Sequence, residues 1–281
     1  MKQLYGVIGD PISHSMSPAM HNSAFSDLGI DAYYHPFHVS PEHLKDAVKG
    51  LKALNIQGFN VTVPHKTSII PLLDEIDPLA SAIGAVNTVV KKDGKLIGYN
   101  TDGLGFVSAL LHEMGNLIHP ECNILIVGAG GAARAIFYTL LSKGWTRVDI
   151  CNRTVQRAEV LIGECPIVGK SKPLTLQEAQ STLNDYDLII QTTSIGMSPR
   201  TSEIPIDLEN LKPNSVVCDI IYNPLKTELL KNASIKGAKT QNGIGMFIYQ
   251  GALAFELWTG IKPDTEKMKK VVLQQLGGTT C

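Results

Sequence analysis

An excess of charge of either sign is the first thing this chain lacks. Its 25 Lys and Arg stand against 26 Asp and Glu, a formal net charge of −1, so neither nucleic acid nor an anionic membrane is expected as a partner. Long apolar runs are missing as well, and no stretch is long enough to span a bilayer. The opening MKQLYGVIGDP carries one Lys and a short apolar run cut by Gly and Pro. That pattern predicts a strand rather than a signal peptide. The five cysteines (Cys122, Cys151, Cys165, Cys218 and Cys281) are an odd number with no CxxC pair, which points to a reducing compartment and thiols used as small apolar residues. There is no HExxH and no zinc-type cysteine pair, so no metal is called for. Internal repeats and low-complexity tracts are absent too. A cytoplasmic globular protein is the expectation.

What is present is enough apolar material for a large core. Hydrophobic residues make up 44% of 281 and charged residues 18%, which suits two α/β units or one large one. Strands are predicted at 4–8, 33–39 and 58–63, the last closed by Pro64, with a hairpin of 87–91 and 95–99 around Asp93-Gly94. Helices are predicted at 41–54 and 71–83, and from Ser17 as N-cap with Pro18 at N1 to Gly29. After Asp102 a helix at 105–114 leads into a stretch containing Pro120. Strands at 123–127, 147–151, 188–191 and 216–219 then alternate with helical segments, the signature of a parallel sheet covered on both faces. Helices at about 246–258 and 265–276 close the chain and are expected to pack back on the first domain.

The segment Gly128-Ala129-Gly130-Gly131-Ala132-Ala133 follows an apolar strand and opens a helix. Glycine at 128 and 130 allows a tight turn and close approach of a pyrophosphate to the backbone N–H groups, and the helix N-terminus adds partial positive charge. No Gly-Lys-Ser/Thr follows, so a P-loop is excluded. About twenty residues on, the next strand ends in Asn152-Arg153-Thr154, with Arg157 one turn later. NAD enzymes place an acid at this point to hold the ribose hydroxyl. Asn152 removes that acid, and the arginines suit a 2′-phosphate, so NADP is favoured over NAD. Asp149, inside the strand, is the rival acid. A merely solvated helix start is the alternative account of Arg153 and Arg157.

The first half carries polar residues where its strands end. Ser13, Ser15 and Ser17 surround a helix start and could meet a carboxylate, although ordinary capping by Ser17 is an equal account. Asn60 and Thr62 share one strand face, with His65 and Lys66 just beyond. Gly84-Ala-Val-Asn87-Thr88 and Gly98-Tyr-Asn100-Thr101-Asp102-Gly103 complete the set. Such amides, hydroxyls and charges suit a small polyhydroxylated substrate. Hydride transfer to a ketone needs a proton for the nascent alkoxide, which a Lys oriented by an Asp can give.

Taken in order, Ser15-x-Ser17-Pro18, Asn60-Val-Thr-Val-Pro-His-Lys66, Gly84-Ala-Val-Asn87-Thr88, Tyr99-Asn100-Thr101-Asp102-Gly103, Gly128-Ala-Gly-Gly131-Ala, Asn152-Arg153-Thr154, Asn242-Gly243 and Tyr249-Gln250-Gly251 resemble the shikimate dehydrogenase family. The resemblance implies reversible reduction of 3-dehydroshikimate to shikimate with NADPH. It implies an α/β fold of two domains: a discontinuous substrate domain, 1–103 plus 245–281, and a Rossmann-type NADP-binding domain, 104–244. Lys66 and Asp102 would be the catalytic pair. Ser15, Ser17, Thr62, Asn87, Tyr222 and Gln250 would join them in holding substrate. Gly128, Ala129, Gly130, Gly131, Ala132, Asn152, Arg153, Thr154, Arg157, Ile220 and Gly243 would contact the cofactor. A monomer or homodimer is expected. Pro78 stands near where relatives often carry an acid. An NAD-dependent quinate/shikimate dehydrogenase is the nearest alternative, disfavoured by Asn152. A silent dinucleotide sensor should lose Lys66 or Asp102, and a methylene-tetrahydrofolate-type dehydrogenase would not need the paired serines.

Overall fold

The computed structural model describes residues 2–277. In chain order they form β1 (Gln3–Gly9), α1 (Ser17–Asp27), β2 (Ala32–His38), α2 (Leu44–Ala53), β3 (Gly58–Val61), β4 (Glu75–Ile76), α3 (Pro78–Ile83), β5 (Thr88–Lys92), β6 (Lys95–Tyr99) and α4 (Asp102–Met114). There follow β7 (Ile124–Val127), α5 (Gly131–Ser142), β8 (Val148–Cys151), α6 (Val155–Gly163), β9 (Pro173–Leu174), α7 (Leu176–Ser181), β10 (Leu188–Gln191), β11 (Val216–Asp219), α8 (Glu228–Ile235), β12 (Lys239–Gln241), α9 (Ile244–Thr259) and α10 (Thr265–Gln275). Two compact units result, divided after Thr101 and after Phe247, the first taking up the residues from Ile248 onward. Among the described residues no helix is long and apolar enough to cross a membrane.

The first unit holds a mixed sheet in the order β2-β1-β3-β5-β6-β4. β1 runs parallel to β2 and β3, and β5 is antiparallel to both β3 and β6. The β5–β6 turn places both Asp93 (φ 51) and Gly94 (φ 78) in the left-handed region, as a two-residue hairpin with the native strand twist requires. Leu44, Val48 and Leu51 fall on one face of α2 and are buried with Ile56, Phe59 and Val61. Each such side chain contributes roughly 1.5–3 kcal/mol by leaving water. The chain's last helices do return to this unit. α10 packs on α1, the Trp258 indole N–H donates to the Val89 carbonyl at 3.0 Å, and a Cβ at Gly58 would fall 2.3 Å from the Trp258 ring.

Two local expectations are corrected. Residues 71–83 are not one helix: a short 3-10 turn (Ile70–Leu72) and β4 precede α3. Asp77 starts α3 by accepting the N–H groups of Leu79 and Ala80. Pro78 then stands in its first turn, and a proline disfavours helical geometry in the residue before it. Nor is Ser17 the N-cap of α1. Met16 occupies that position, and no side chain caps the helix.

The second unit is a six-stranded, all-parallel sheet in the order β12-β11-β10-β7-β8-β9. Numbered from β7, this is the 3-2-1-4-5-6 order of a doubly wound dinucleotide fold. β7, β10 and β11 are buried along their whole length, as strands covered by helices on both faces must be.

Candidate active site

In the second unit the order of strands reverses between β7 and β10, and the glycine turn leaves β7 at that crevice. Gly128 has φ +111, and a Cβ there would meet Thr192 Oγ1 at 2.7 Å and Thr193 Cγ2 at 2.8 Å. Only glycine can turn the chain at this point. Gly130 and Gly131, by contrast, have nothing within 4 Å of a Cβ. They leave open space over the first turn of α5, whose N-cap, Gly130, offers no side-chain acceptor to the helix N–H groups. Ala129 is half-buried beside them and Ala132 lies within the first turn. An anionic bridge of two phosphates fits this open, donor-rich corner.

At the end of β8 the Asn152 amide N–H donates to the Thr154 carbonyl at 2.8 Å, holding the turn that carries exposed Arg153, Thr154 and Arg157. Asp149 is ruled out as the ribose-binding acid. One of its oxygens accepts the Lys172 N–H at 2.8 Å and the other accepts the Tyr186 hydroxyl at 2.8 Å. The groups presented at this strand end are therefore cationic and neutral, which fits a ribose bearing a 2′-phosphate.

Beyond β11, Ile220 and Tyr222 are positioned by an interlocked backbone. Gly243 N–H donates to the Ile221 carbonyl at 2.9 Å, and a Cβ on Gly243 would fall 1.9 Å from the Ile220 carbonyl oxygen. The half-buried Tyr222 ring lies 5.3 Å from that of Phe247, and burial pushes its hydroxyl pKa up. Asp102 opens α4. The next residue, Gly103, lets α4 close on α5: a Cβ would lie 2.2 Å from both the Ala135 carbonyl and Thr139 Oγ1. The place of Asp102 is thereby set by the packing of its helix on the one that follows the glycine turn.

In the first unit, Ser15 and Ser17 lie at the start of α1, where the Ser15 hydroxyl accepts the Ser17 N–H at 3.3 Å. Thr62 continues from β3, donating its N–H to the Ile8 carbonyl at 3.0 Å. The His65 ring is buried and bonded to the Val39 carbonyl at 2.6 Å, so it is an anchor for the loop that presents Lys66. The Lys66 carbonyl accepts the Val86 N–H at 2.8 Å, which sets the lysine beside the strand entry carrying Asn87. Asn87 is itself buried. Its side-chain oxygen accepts the Thr101 N–H at 2.8 Å, and its amide nitrogen donates to Thr101 Oγ1 at 3.0 Å and to Gln250 Oε1 at 3.4 Å. Gln250 is brought there by α9, where a Cβ at Gly251 would press on Met20 at 2.3 Å.

Within this unit the structure thus joins Asn87 to Gln250 across 163 positions of sequence and sets Lys66 alongside. Sequence reasoning overlooked Tyr34. It is wholly buried, and its hydroxyl donates to Asn60 Oδ1 at 2.7 Å. A tyrosine in a short strand carries the same local signal as any core aromatic, so nothing near it in the sequence could have marked it.

Comparisons with known proteins point to one family. Three family models match: "Shikimate dehydrogenase substrate binding domain" over residues 7–89, "Shikimate / quinate 5-dehydrogenase" over 112–212, and "Shikimate 5'-dehydrogenase C-terminal domain" over 243–273. The chain is 55% identical to a curated shikimate dehydrogenase (NADP(+)) of Geobacillus sp. strain WCH70, across 99% of this chain and 100% of that one. Among solved structures it resembles the Listeria monocytogenes shikimate 5-dehydrogenase in complex with shikimate and NAD, with TM-score 0.91, 37% identity, and coverage of 96% of each chain. It also resembles the Thermus thermophilus shikimate 5-dehydrogenase in complex with NADP(H) and shikimate, with TM-score 0.87, 36% identity, and coverage of 97% of this chain and 99% of that one. A match of this identity along the whole length, on the same two-unit plan, means that the chain belongs to the shikimate dehydrogenase family.

Proposed function

We propose that this chain catalyses the reversible, NADPH-dependent reduction of 3-dehydroshikimate to shikimate, a step in the supply of aromatic amino acids. The observation that carries the substrate is the full-length match to an NADP(+)-dependent shikimate dehydrogenase. The cofactor has independent support in the open glycine turn at the switch point and the acid-free end of β8.

A bound nicotinamide cofactor would supply the hydride chemistry at the ring carbon that bears the reacting oxygen. The chain's own residues do the rest. In this reading residues 104–244 hold the cofactor. Gly128, Ala129, Gly130, Gly131 and Ala132 cradle the pyrophosphate. Asn152, Arg153, Thr154 and Arg157 receive the adenosine ribose and its phosphate, and Ile220 and Gly243 complete the cofactor contacts. Residues 1–103 with 245–281 supply most of the groups that hold the substrate. Ser15 and Ser17 meet its carboxylate, while Thr62, Asn87, Tyr222 and Gln250 engage ring hydroxyls or close over the ring. Lys66 gives a proton to the reacting oxygen during reduction and takes it back during oxidation, and Asp102 orients Lys66 and accepts a ring hydroxyl. Ser17 does not cap α1, and its side chain is instead hydrogen-bonded to Tyr34 within the first unit.

The enzyme would act as a monomer or homodimer in the cytoplasm. Free thiols at Cys122, Cys151, Cys165 and Cys218 support a reducing compartment. The test is spectrophotometric: NADP reduction with shikimate, against quinate and against NAD. Turnover with shikimate and NADP should exceed both alternatives. Faster turnover with quinate or with NAD would overturn the assignment.

A further inference from the structure

The end of β10 carries a side chain that the sheet itself does not use. Gln191 is the last residue of that strand and lies in register with Val127 of β7, one residue before the glycine turn. The residues before it, Leu188, Ile189 and Ile190, are apolar and fully buried, and Gln191 is as buried as they are. An apolar side chain would fill this place without stripping an amide of water. The amide is satisfied all the same, and by a single segment. Its oxygen accepts the Thr193 N–H at 2.5 Å, and its NH2 group donates to the Thr193 carbonyl at 3.0 Å and the Ile195 carbonyl at 3.1 Å. The amide has only one possible direction here, because a backbone N–H only donates and a backbone carbonyl only accepts. Both backbone polar groups of Thr193 therefore end on Gln191.

The loop so held faces the glycine turn. The order of the sheet reverses between β7 and β10, and a ligand of such a sheet lies in the crevice between the loops that leave those two strands. One wall of the crevice is the turn from Gly128 to Ala132, and the other is Thr192 to Ile195. The walls meet at their base, where a Cβ on Gly128 would lie 2.7 Å from Thr192 Oγ1 and 2.8 Å from Thr193 Cγ2. Thr192 is fixed by β7, since its N–H and its hydroxyl both donate to the Val127 carbonyl, at 2.9 and 2.8 Å. Past Thr192 the support comes from Gln191. The bonds from the Ile195 N–H to Thr193 Oγ1 at 3.1 Å and from the Met197 N–H to the Ser194 carbonyl at 3.2 Å join the loop only to itself.

We propose that Gln191 is a positioning residue for the cofactor: its buried amide holds residues 193–195 in the shape of the second wall of the crevice, opposite the Gly128 turn, and so sets the space open to the pyrophosphate. The inference rests on the reading that Gly128 to Ala132 cradle that pyrophosphate. Gln191 is buried beneath the crevice and acts through the loop.

Titration of the folded full chain with NADPH and with NADH, followed by nicotinamide fluorescence, tests it. Gln191→Met keeps the length of the side chain and suits an apolar strand end, but it leaves three backbone groups of the loop to find water. It should raise Kd for NADPH and NADH alike, by about tenfold, because both carry the pyrophosphate. KM for shikimate at saturating NADP should stay within about twofold of wild type, since the substrate makes no use of this wall. Gln191→Glu keeps the acceptor for the Thr193 N–H and loses both donors. It should weaken both cofactors as well, and it serves alone if Gln191→Met does not fold. Unchanged Kd values in the folded protein would overturn the proposal even if the thermal midpoint fell, because that is the mark of a merely structural residue. A loss confined to NADPH would overturn it too, by placing the effect at the 2′-phosphate. Gly130→Asp separates the proposal from the reading beneath it. Nothing lies within 4 Å of a Cβ at Gly130, and its backbone is already that of an N-cap, a position that favours Asp. The variant should therefore fold while its carboxylate takes the anion corner. If it weakens both cofactors and Gln191→Met does not, only the positioning role falls. If Gly130→Asp leaves both Kd values unchanged, the cradle reading falls and the proposal with it.

Discussion

Asp219 and Thr227 share a hydrogen bond of 2.7 Å in the interior of the second unit, while the other Asp219 oxygen accepts the Ile221 N–H at 3.0 Å. This carboxyl ties β11 to the segment that carries Ile220 and Tyr222. Burial pushes its pKa up to about 6, against the opposing pull of its two hydrogen bonds. The folded state therefore holds the proton more tightly than the unfolded chain. The resulting stability is fully present below the unfolded value near 3.8 and is lost as pH rises through about 6. Asp219→Asn should abolish that slope. In urea unfolding, its stability relative to wild type should rise by about 2–3 kcal/mol from about pH 4 to about pH 7. A difference that stays flat across this range would mean that burial imposes no charge penalty on this carboxyl.

His21 works in the opposite sense. It is fully buried, stacked on Tyr34, and neither ring nitrogen has a hydrogen-bond partner. Burial pushes its pKa down to about 3, so its contribution is complete above the unfolded value near 6.5 and is lost as pH falls from there. His21→Phe keeps an aromatic ring in the stack. It should resist acid better than wild type by about 1.4 kcal/mol per pH unit between about pH 6 and 4. Parallel acid unfolding curves for the two proteins would refute this.

At the end of β8, Arg153 is exposed and follows a neutral Asn152. Losing a charge-assisted pair to a phosphate is worth about 1.5–3 kcal/mol. Arg153→Ala should cut kcat/KM for NADP more than about tenfold and leave NAD nearly untouched. Equal losses with both cofactors would mean that Arg153 does not read the 2′-phosphate.

For the chemistry, Lys66→Ala should lower kcat by about 10²–10⁴, the usual worth of general acid–base catalysis. KM for shikimate and for NADP should move much less, because the lost interaction belongs mainly to the transition state. Asp102→Asn should lower kcat as well and also weaken shikimate binding. A folded Lys66→Ala protein keeping more than about a tenth of wild-type kcat would remove Lys66 from the mechanism.

Features that depend on a few consecutive residues were legible in the sequence. The Gly128 turn was one, because a positive φ followed by open helix N–H groups needs glycine at set offsets. The β5–β6 hairpin could be read from Asp93-Gly94, and the buried face of α2 from the spacing of Leu44, Val48 and Leu51. Local rules misled where two of them competed. Residues 71–83 were expected as one helix, but Asp77-Pro78 is a start signal and α3 begins only there. At Ser17 the residue type suggested a cap, which the backbone assigned to Met16. The substrate corner, in contrast, existed only once the chain had folded. Tyr34, Asn60, Asn87, Thr101 and Gln250 come from separate elements, and the β3–β5 register that sets Asn60 opposite Thr88 is a property of the assembled sheet. The direction of each hydrogen bond there depends on which partner is already committed, and in a buried chain that is known only when every partner is in place.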